Sequence, residues 1–357
     1  MESYADSYAG LTSYLQDQDK SIFDKIHNLR LAQFKELKDS DKLNLKQNKN
    51  DNSIVETYSG KLSTSRYSNY VSSKYIEETL EDWNIVIKYT PWDSVVCNLA
   101  SINLAKVNDA ETISKVVPVA MRVLDNVIDL NFYPIKEAEL TAKKYRSVWL
   151  WYLGLAEYLA VNKLAYDSPK AREVVDDLLE QCALSAFTSS NELALERWKY
   201  QLFDGSEYSK WIILDKDENW YKANSKYSQK WVELIQNVKK SGLRFAYHIA
   251  PAPNTSTAWV VWTTAALLPI YKKYFVETNS IAPSVVVAPN LNNENFWFYK
   301  EYVNMNMNDV IDMMWVVYKW IDQSASFEWI INPARVSPKE LYEYYLRAHK
   351  LWIKTVY

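Results

Sequence analysis

Two cysteines, Cys97 and Cys182, are the residues of this 357-residue chain with the widest chemistry open to them. A thiolate is a nucleophile, a metal ligand and a redox group, but two cysteines make neither a disulfide framework nor a metal cluster. Cys97 falls in the apolar run Val95-Val-Cys-Asn-Leu99, which reads as a strand. Taken alone, such a cysteine is more often a small buried hydrophobe than a reactive thiol. Cys182 falls mid-helix among Leu179, Ala183 and Ala186 and reads as core. His27, His248 and His349 have no ligand spacing, so no metal site is expected. The segment Pro253-Asn-Thr-Ser-Thr257 gathers amide and hydroxyl groups ahead of an apolar run from Ala258. Asn254, Thr255, Ser256 and Thr257 therefore suit a helix start that holds phosphate oxygens, although an ordinary helix cap has the same composition.

Positioning these residues requires alternating strands and helices. Strands are expected at Asn84–Tyr89 and Ser94–Leu99, with short extended runs at Arg244–Ile249, Ser284–Ala288, Ser326–Ile331 and Ile353–Tyr357. Helices are expected over Glu111–Ile128, Ile135–Lys163, Pro169–Arg197, Gln229–Lys240, Met307–Gln323 and Pro338–Trp352. Ser168-Pro169 and Ser337-Pro338 place a capping hydroxyl before a proline at the first helical position, and Glu340 completes a capping box. Alternation of this kind predicts an α/β fold with a parallel sheet over residues 81–357. Residues 1–80 are rich in Lys, Asn, Asp, Ser and Tyr and are expected to form a weakly ordered polar extension, with one amphipathic helix over Ser21–Leu37. A formal charge of -3 argues against a nucleic-acid or membrane-surface partner. The start lacks the basic and apolar regions of a signal peptide, and the apolar run Ala258–Ile270 is too short to span a bilayer, so the cytoplasm is expected.

Four segments resemble the large chain of ribonucleotide reductase. Cys97-Asn-Leu-Ala-Ser-Ile-Asn-Leu104 is similar to the family segment that carries one of two redox thiols. Leu124-Asp-Asn-Val-Ile-Asp-Leu-Asn-Phe-Tyr-Pro134 resembles a helix end and its turn. Gly242-Leu-Arg244, leading to Ala252-Pro-Asn-Thr-Ser-Thr257, resembles the segment that holds the substrate's phosphates. Ile321-Asp-Gln-Ser-Ala-Ser326 and Lys354-Thr-Val-Tyr357 resemble the last strands. The resemblance implies part of a ten-stranded α/β barrel, and a ribonucleoside-diphosphate reductase that removes the 2′-hydroxyl by thiyl-radical chemistry. It assigns Cys97 to the reductant-thiol position and Tyr357 to the first tyrosine of a radical relay. It implies no cofactor bound by this chain itself, because a metal-containing small subunit supplies the radical in trans, and a homodimer is expected.

The chain departs from the family in two ways. The family's Asn-x-Cys-x-Glu motif has no cysteine here: aligning Asn84 with its asparagine puts Val86 and Lys88 at the other two places. A complementary large-subunit chain is therefore expected to supply the radical cysteine. The alternative is a degenerate, non-catalytic relative that binds nucleotide or reductase subunits. The second departure is in glycine, of which there are 5 beside 15 tryptophans, where about 25 glycines are typical of this length. The resemblance puts glycine at Trp149, Trp151, Trp198, Trp211, Trp262, Trp315 and Trp352. Reading UGA, a glycine codon in some bacterial lineages, as tryptophan produces this replacement.

Overall fold

The computed structural model describes residues 42–47, 54–59, 73–81, 84–278 and 283–356. The chain divides into two compact units, residues 1–94 and 95–357. In the first, strands β1 (Lys42–Gln47), β2 (Ile54–Ser59), β3 (Ser73–Glu81) and β4 (Asn84–Pro91) form an antiparallel sheet in the order β1-β2-β4-β3. Three of these strands lie in the stretch read as a weakly ordered extension, and β4, in the part expected to carry a parallel sheet, pairs antiparallel. Tyr-, Thr- and Ile-containing strands such as Ile54-Val-Glu-Thr-Tyr-Ser59 have β propensity that a reading weighted on polar content overlooks. The helix expected over Ser21–Leu37 lies outside the described residues.

The second unit is built as the α/β pattern predicts. Strand β5 (Leu99–Asn103) pairs in parallel with β6 (Trp149–Leu153), in register Leu99↔Trp149 through Asn103↔Leu153. Helices α1 (Ala110–Leu130) and α2 (Lys136–Tyr145) make the crossover between them. Residues 247–250 run parallel along the other edge of β6: Val148 N–H donates to Tyr247 O (3.0 Å) and Leu150 N–H to His248 O (2.8 Å). Ser326 N–H then reaches Pro251 O (3.1 Å), and the Thr355 hydroxyl donates to Ala325 O (2.6 Å). The runs expected at Arg244–Ile249, Ser326–Ile331 and Ile353–Tyr357 thus follow one another beside β6, although in this sheet only β5 and β6 are regular strands.

Two expectations need correction. The helix read over Ile135–Lys163 is α2, then β6, then α3 (Leu155–Val161). Arg146 turns left-handed at φ 51° to end α2, and Gly154 at φ 83° opens α3. A Cβ on Gly154 would lie 2.5 Å from Asn103 Oδ1, so the short connection needs glycine. The apolar run between these turns is buried on both faces, and a doubly buried strand has no alternation to distinguish it from a buried helix. The strand expected at Ser94–Leu99 begins at Leu99, so Cys97 precedes β5.

The remaining helices are α4 (Pro169–Arg197), α5 (Glu218–Asn224), α6 (Ser228–Ser241), α7 (Thr255–Val260), α8 (Met307–Tyr318) and α9 (Pro338–Lys350). Helix α4 starts where Ser168 accepts the Ala171 N–H, as its sequence requires. At α9 the Ser337–Glu340 capping box forms in both directions. Helix α4 is the central rod of the unit, with Val175, Leu179, Cys182, Ala186 and Phe187 fully buried between its neighbours. Strands β7 (Tyr274–Thr278) and β8 (Pro283–Val287) form an antiparallel hairpin.

Candidate active site

Cys97 is exposed, two residues ahead of β5. Its neighbour Asn98 continues the sheet, accepting the Trp149 N–H (2.9 Å) and donating its amide to Leu124 O at 2.9 Å. This second bond ties the Cys97 segment to α1. The thiol borders a cavity of about 40 Å³ shared with Val127, Ile128, Asn131 and Tyr133. Partial burial there pushes the thiol above its ordinary pKa. Cys182 is the contrast: wholly buried in α4, its thiol is pushed up to about 12 by desolvation, as a core cysteine should be.

The second candidate segment lies beyond the carboxyl end of the 247–250 strand. Asn254 begins α7 but makes no side-chain capping bond, and its Nδ2 is buried without a partner. An ordinary cap would have used that side chain. Thr255 donates to Pro253 O (2.9 Å) and lines a cavity of about 380 Å³ with Trp259, Trp262, Thr263, Lys272 and Glu328. Ser256 and Thr257 are exposed. Thr263 hydrogen-bonds the buried carboxylate of Glu157, which also accepts from Asn290. The cavity therefore has hydroxyls, one amine and the Glu328 carboxylate at its wall, and the buried Glu157 carboxylate behind it.

The sheet register separates the two sites. Leu99 pairs with Trp149 and Leu150 with Ile249, so Cys97 belongs to the amino-terminal end of the parallel strands and Asn254–Thr257 to the opposite end. The two cavities share no residue. Asn84 is in β4, paired with Ser59 and Glu81, and its side chain is outside the described residues, as is all of Tyr357. Among the described residues no group of three or more His, Cys, Asp and Glu is placed to hold a metal ion. Also among them, no helix is long and apolar enough to cross a membrane.

Arg244 has a role that its segment's resemblance did not predict. Its guanidinium is turned away from α7 onto Asp125 (Nε to Oδ1 2.8 Å), and it also donates to Trp198 O at 3.0 Å and to Arg197 O. Asp125, fully buried on α1, also accepts from Arg146 (2.6 Å) and Arg197 (3.0 Å). Burial lowers the Arg244 pKa, and hydrogen bonds from Arg146 hold the Asp129 carboxyl below its ordinary value. Three arginines on one buried carboxylate lock α1, α2 and α4 together, so this cluster is committed internally.

A second polar cluster was not legible in sequence. Asp322 accepts the N–H groups of His248 and Ile249 (both 2.8 Å), His248 Nδ1 (2.8 Å) and the Tyr208 hydroxyl (2.8 Å). His248 Nε2 meets Ser190 Oγ at 2.9 Å. Carboxylate, imidazole and hydroxyl stand in the order of a hydrolase triad. However, His248 and Ser190 are wholly buried, and Ser190 Oγ is occupied by the Arg244 N–H (3.1 Å). The cluster pins the third strand to α4 and presents no nucleophile to solvent.

Comparison with known proteins agrees with this architecture. Residues 45–357 match the family described as ribonucleotide reductase, barrel domain. The alpha subunit of ribonucleoside-diphosphate reductase from Helicobacter pylori strain J99 is 40% identical over 270 residues, which cover 74% of this chain and 34% of that protein. The corresponding subunit of Synechocystis is 34% identical over 241 residues, covering 67% and 31%. That of Treponema pallidum is 30% identical over 292 residues, covering 81% and 33%. The chain thus spans about a third of the length of these relatives. The family match begins at residue 45, inside the stretch that had shown no resemblance. With the parallel strands, their crossover helices and a family match over most of its length, the chain belongs to the ribonucleotide reductase large-subunit family, as part of its barrel domain.

Proposed function

We propose that this chain is the carboxyl-terminal barrel portion of a ribonucleoside-diphosphate reductase large subunit and works with a complementary chain. The observation that carries the reading is the exposed thiol of Cys97, just ahead of β5 in the segment that resembles the family's reductant-thiol segment, while the other cysteine is sealed in the core. In the overall step the ribose 2′-C–O bond breaks, its oxygen leaves as water with one proton, and a C2′–H bond forms from a second proton and two electrons. Two thiols lose two electrons and two protons and join as a disulfide. Cys97 is one of these thiols. The second thiol and the radical-carrying cysteine come from the complementary chain, and a metal-containing small subunit generates the radical. Thr255, from the wall of the 380 Å³ cavity, and Asn254 next to it in sequence, with its unpaired buried amide, hold the diphosphate, with Ser256 and Thr257 following them. Tyr357 relays the radical, Asn84 takes the place of the motif's asparagine, and two copies of the assembly pair.

The test combines this chain with a polypeptide carrying the missing Asn-x-Cys-x-Glu motif and a radical-generating small subunit, and follows reduction of a ribonucleoside diphosphate. The chain alone gives no turnover and the combination gives turnover. C97S abolishes it without loss of diphosphate binding, whereas N254A weakens binding by about tenfold, the worth of one hydrogen bond to a charged group. The second reading, a non-catalytic relative, is favoured by the valine at position 86 in place of a radical cysteine. Diphosphate binding with no turnover in any combination would establish that reading instead.

A further inference from the structure

We infer that glycine occupies positions 198, 211, 262 and 352 of the functional polypeptide, on backbone geometry that does not depend on any relative. All four tryptophans have left-handed backbones, with φ of 72°, 70°, 50° and 59°. Ten described residues other than glycine have positive φ, and tryptophan supplies four of them although it is 15 of 357 residues. The conformation is rare outside glycine and an outlier for a bulky side chain. None of Trp92, Trp220, Trp231, Trp259, Trp297, Trp320 and Trp329 adopts it.

Three of the four sit at one structural position. After α7, Trp262 N–H donates to Trp259 O (3.3 Å) and Thr263 N–H to Ala258 O (3.0 Å). After α9, Trp352 N–H donates to His349 O (3.0 Å) and Ile353 N–H to Ala348 O (3.0 Å). After the 3-10 turn Tyr208–Lys210, Trp211 N–H donates to Tyr208 O (3.1 Å) and Ile212 N–H to Glu207 O (3.2 Å). These paired bonds are the Schellman motif, whose left-handed residue is usually glycine. The fourth, Trp198, ends α4 at φ 72° and ψ 155°. Gly242 ends α6 in the same region of backbone space, at φ 75° and ψ -162°. That region is essentially restricted to glycine.

The side chains of Trp198 and Trp352 give no reason for tryptophan. Trp198 and Trp352 are 84% and 86% exposed. By contrast, Trp231 is buried, donates to Glu180 Oε1 (3.0 Å) and stacks on Tyr221, and Trp320 donates to Asp176 Oδ1 at 2.6 Å. One codon with two meanings accounts for both groups. UGA, read as glycine by the cell that makes the protein, stands at the four strained positions, and UGG stands at Trp220, Trp231 and Trp320.

The codons decide it. The gene should carry UGA at 198, 211, 262 and 352 and UGG at 220, 231 and 320, and UGG at the four strained positions overturns the inference. Peptide mass spectrometry of the protein from its source is the second reading: the four sites should each be lighter by the indole side chain, and intact tryptophan there overturns the inference whatever the codon. In recombinant protein, W198G, W211G and W352G should each raise Tm, by at least about 2 °C, while W231G lowers it. A fall in all four variants would refute the strain argument. None of these readouts depends on nucleotide binding or turnover.

Discussion

At the scale of single residues, the two cysteines differ because of where the chain puts their sulfur atoms. Cys97 is open to solvent just before a strand, whereas Cys182 is enclosed on every side of α4 and its thiol is held up to about 12. A thiol reagent at neutral pH therefore modifies one cysteine in the native protein and the second only on unfolding, a difference that a time course with a chromogenic disulfide would resolve. Equal rates would contradict the buried environment of Cys182, and C97S would remove the fast phase. The raised pKa of Cys97 also makes this reaction speed up as the pH rises above neutrality, because the attacking species is the thiolate.

At the scale of elements, caps and buried charge do different work. The Ser337–Glu340 box closes the exposed start of α9, and S337A should cost ~1 kcal/mol in a denaturant titration. Such a loss is local and visible from sequence. The Asp125 cluster is neither. One carboxylate on α1 is shared by Arg146 after α2, Arg197 at the end of α4 and Arg244 before the third strand. D125N leaves three cations without their common partner, and about 3–5 kcal/mol of stability should go with it. A loss within that of S337A would show that the arginines find other partners. The short connections depend on backbone freedom in the same way: Gly154 works because a Cβ there would meet Asn103 and Thr263.

At the scale of the whole molecule, one half-buried lysine couples stability to pH. Lys216 donates to Leu214 O and Lys319 O (both 2.7 Å) and faces the rings of Trp220 and Trp320. Burial outweighs these contacts and pushes its pKa down to about 8. Between about pH 8 and the ordinary lysine range, the unfolded chain therefore binds more protons than the folded one, so stability rises with pH across that window. Below about pH 8 both states are protonated and this contribution is flat. K216M should remove the rise, as read from denaturation midpoints at pH 7.5 and pH 10, and an unchanged slope would assign the rise to other groups.

Much of this protein was present in the order of its residues. The alternation of elements, the start of α4 at Ser168-Pro169, the box at Ser337, the core character of Cys182 and the family itself follow from local patterns, because capping and periodicity act over a few neighbours. Tertiary structure decided what depends on distant partners. It made Trp149–Leu153 a strand, since burial on both faces erased the periodic signal that separates strand from helix. It turned Arg244 from α7 toward Asp125, 119 residues away, and set Asp322 against His248 across 74 residues. It also placed Cys97 and Asn254 at opposite ends of the parallel strands, because register is set by pairing between strands rather than by any motif within one.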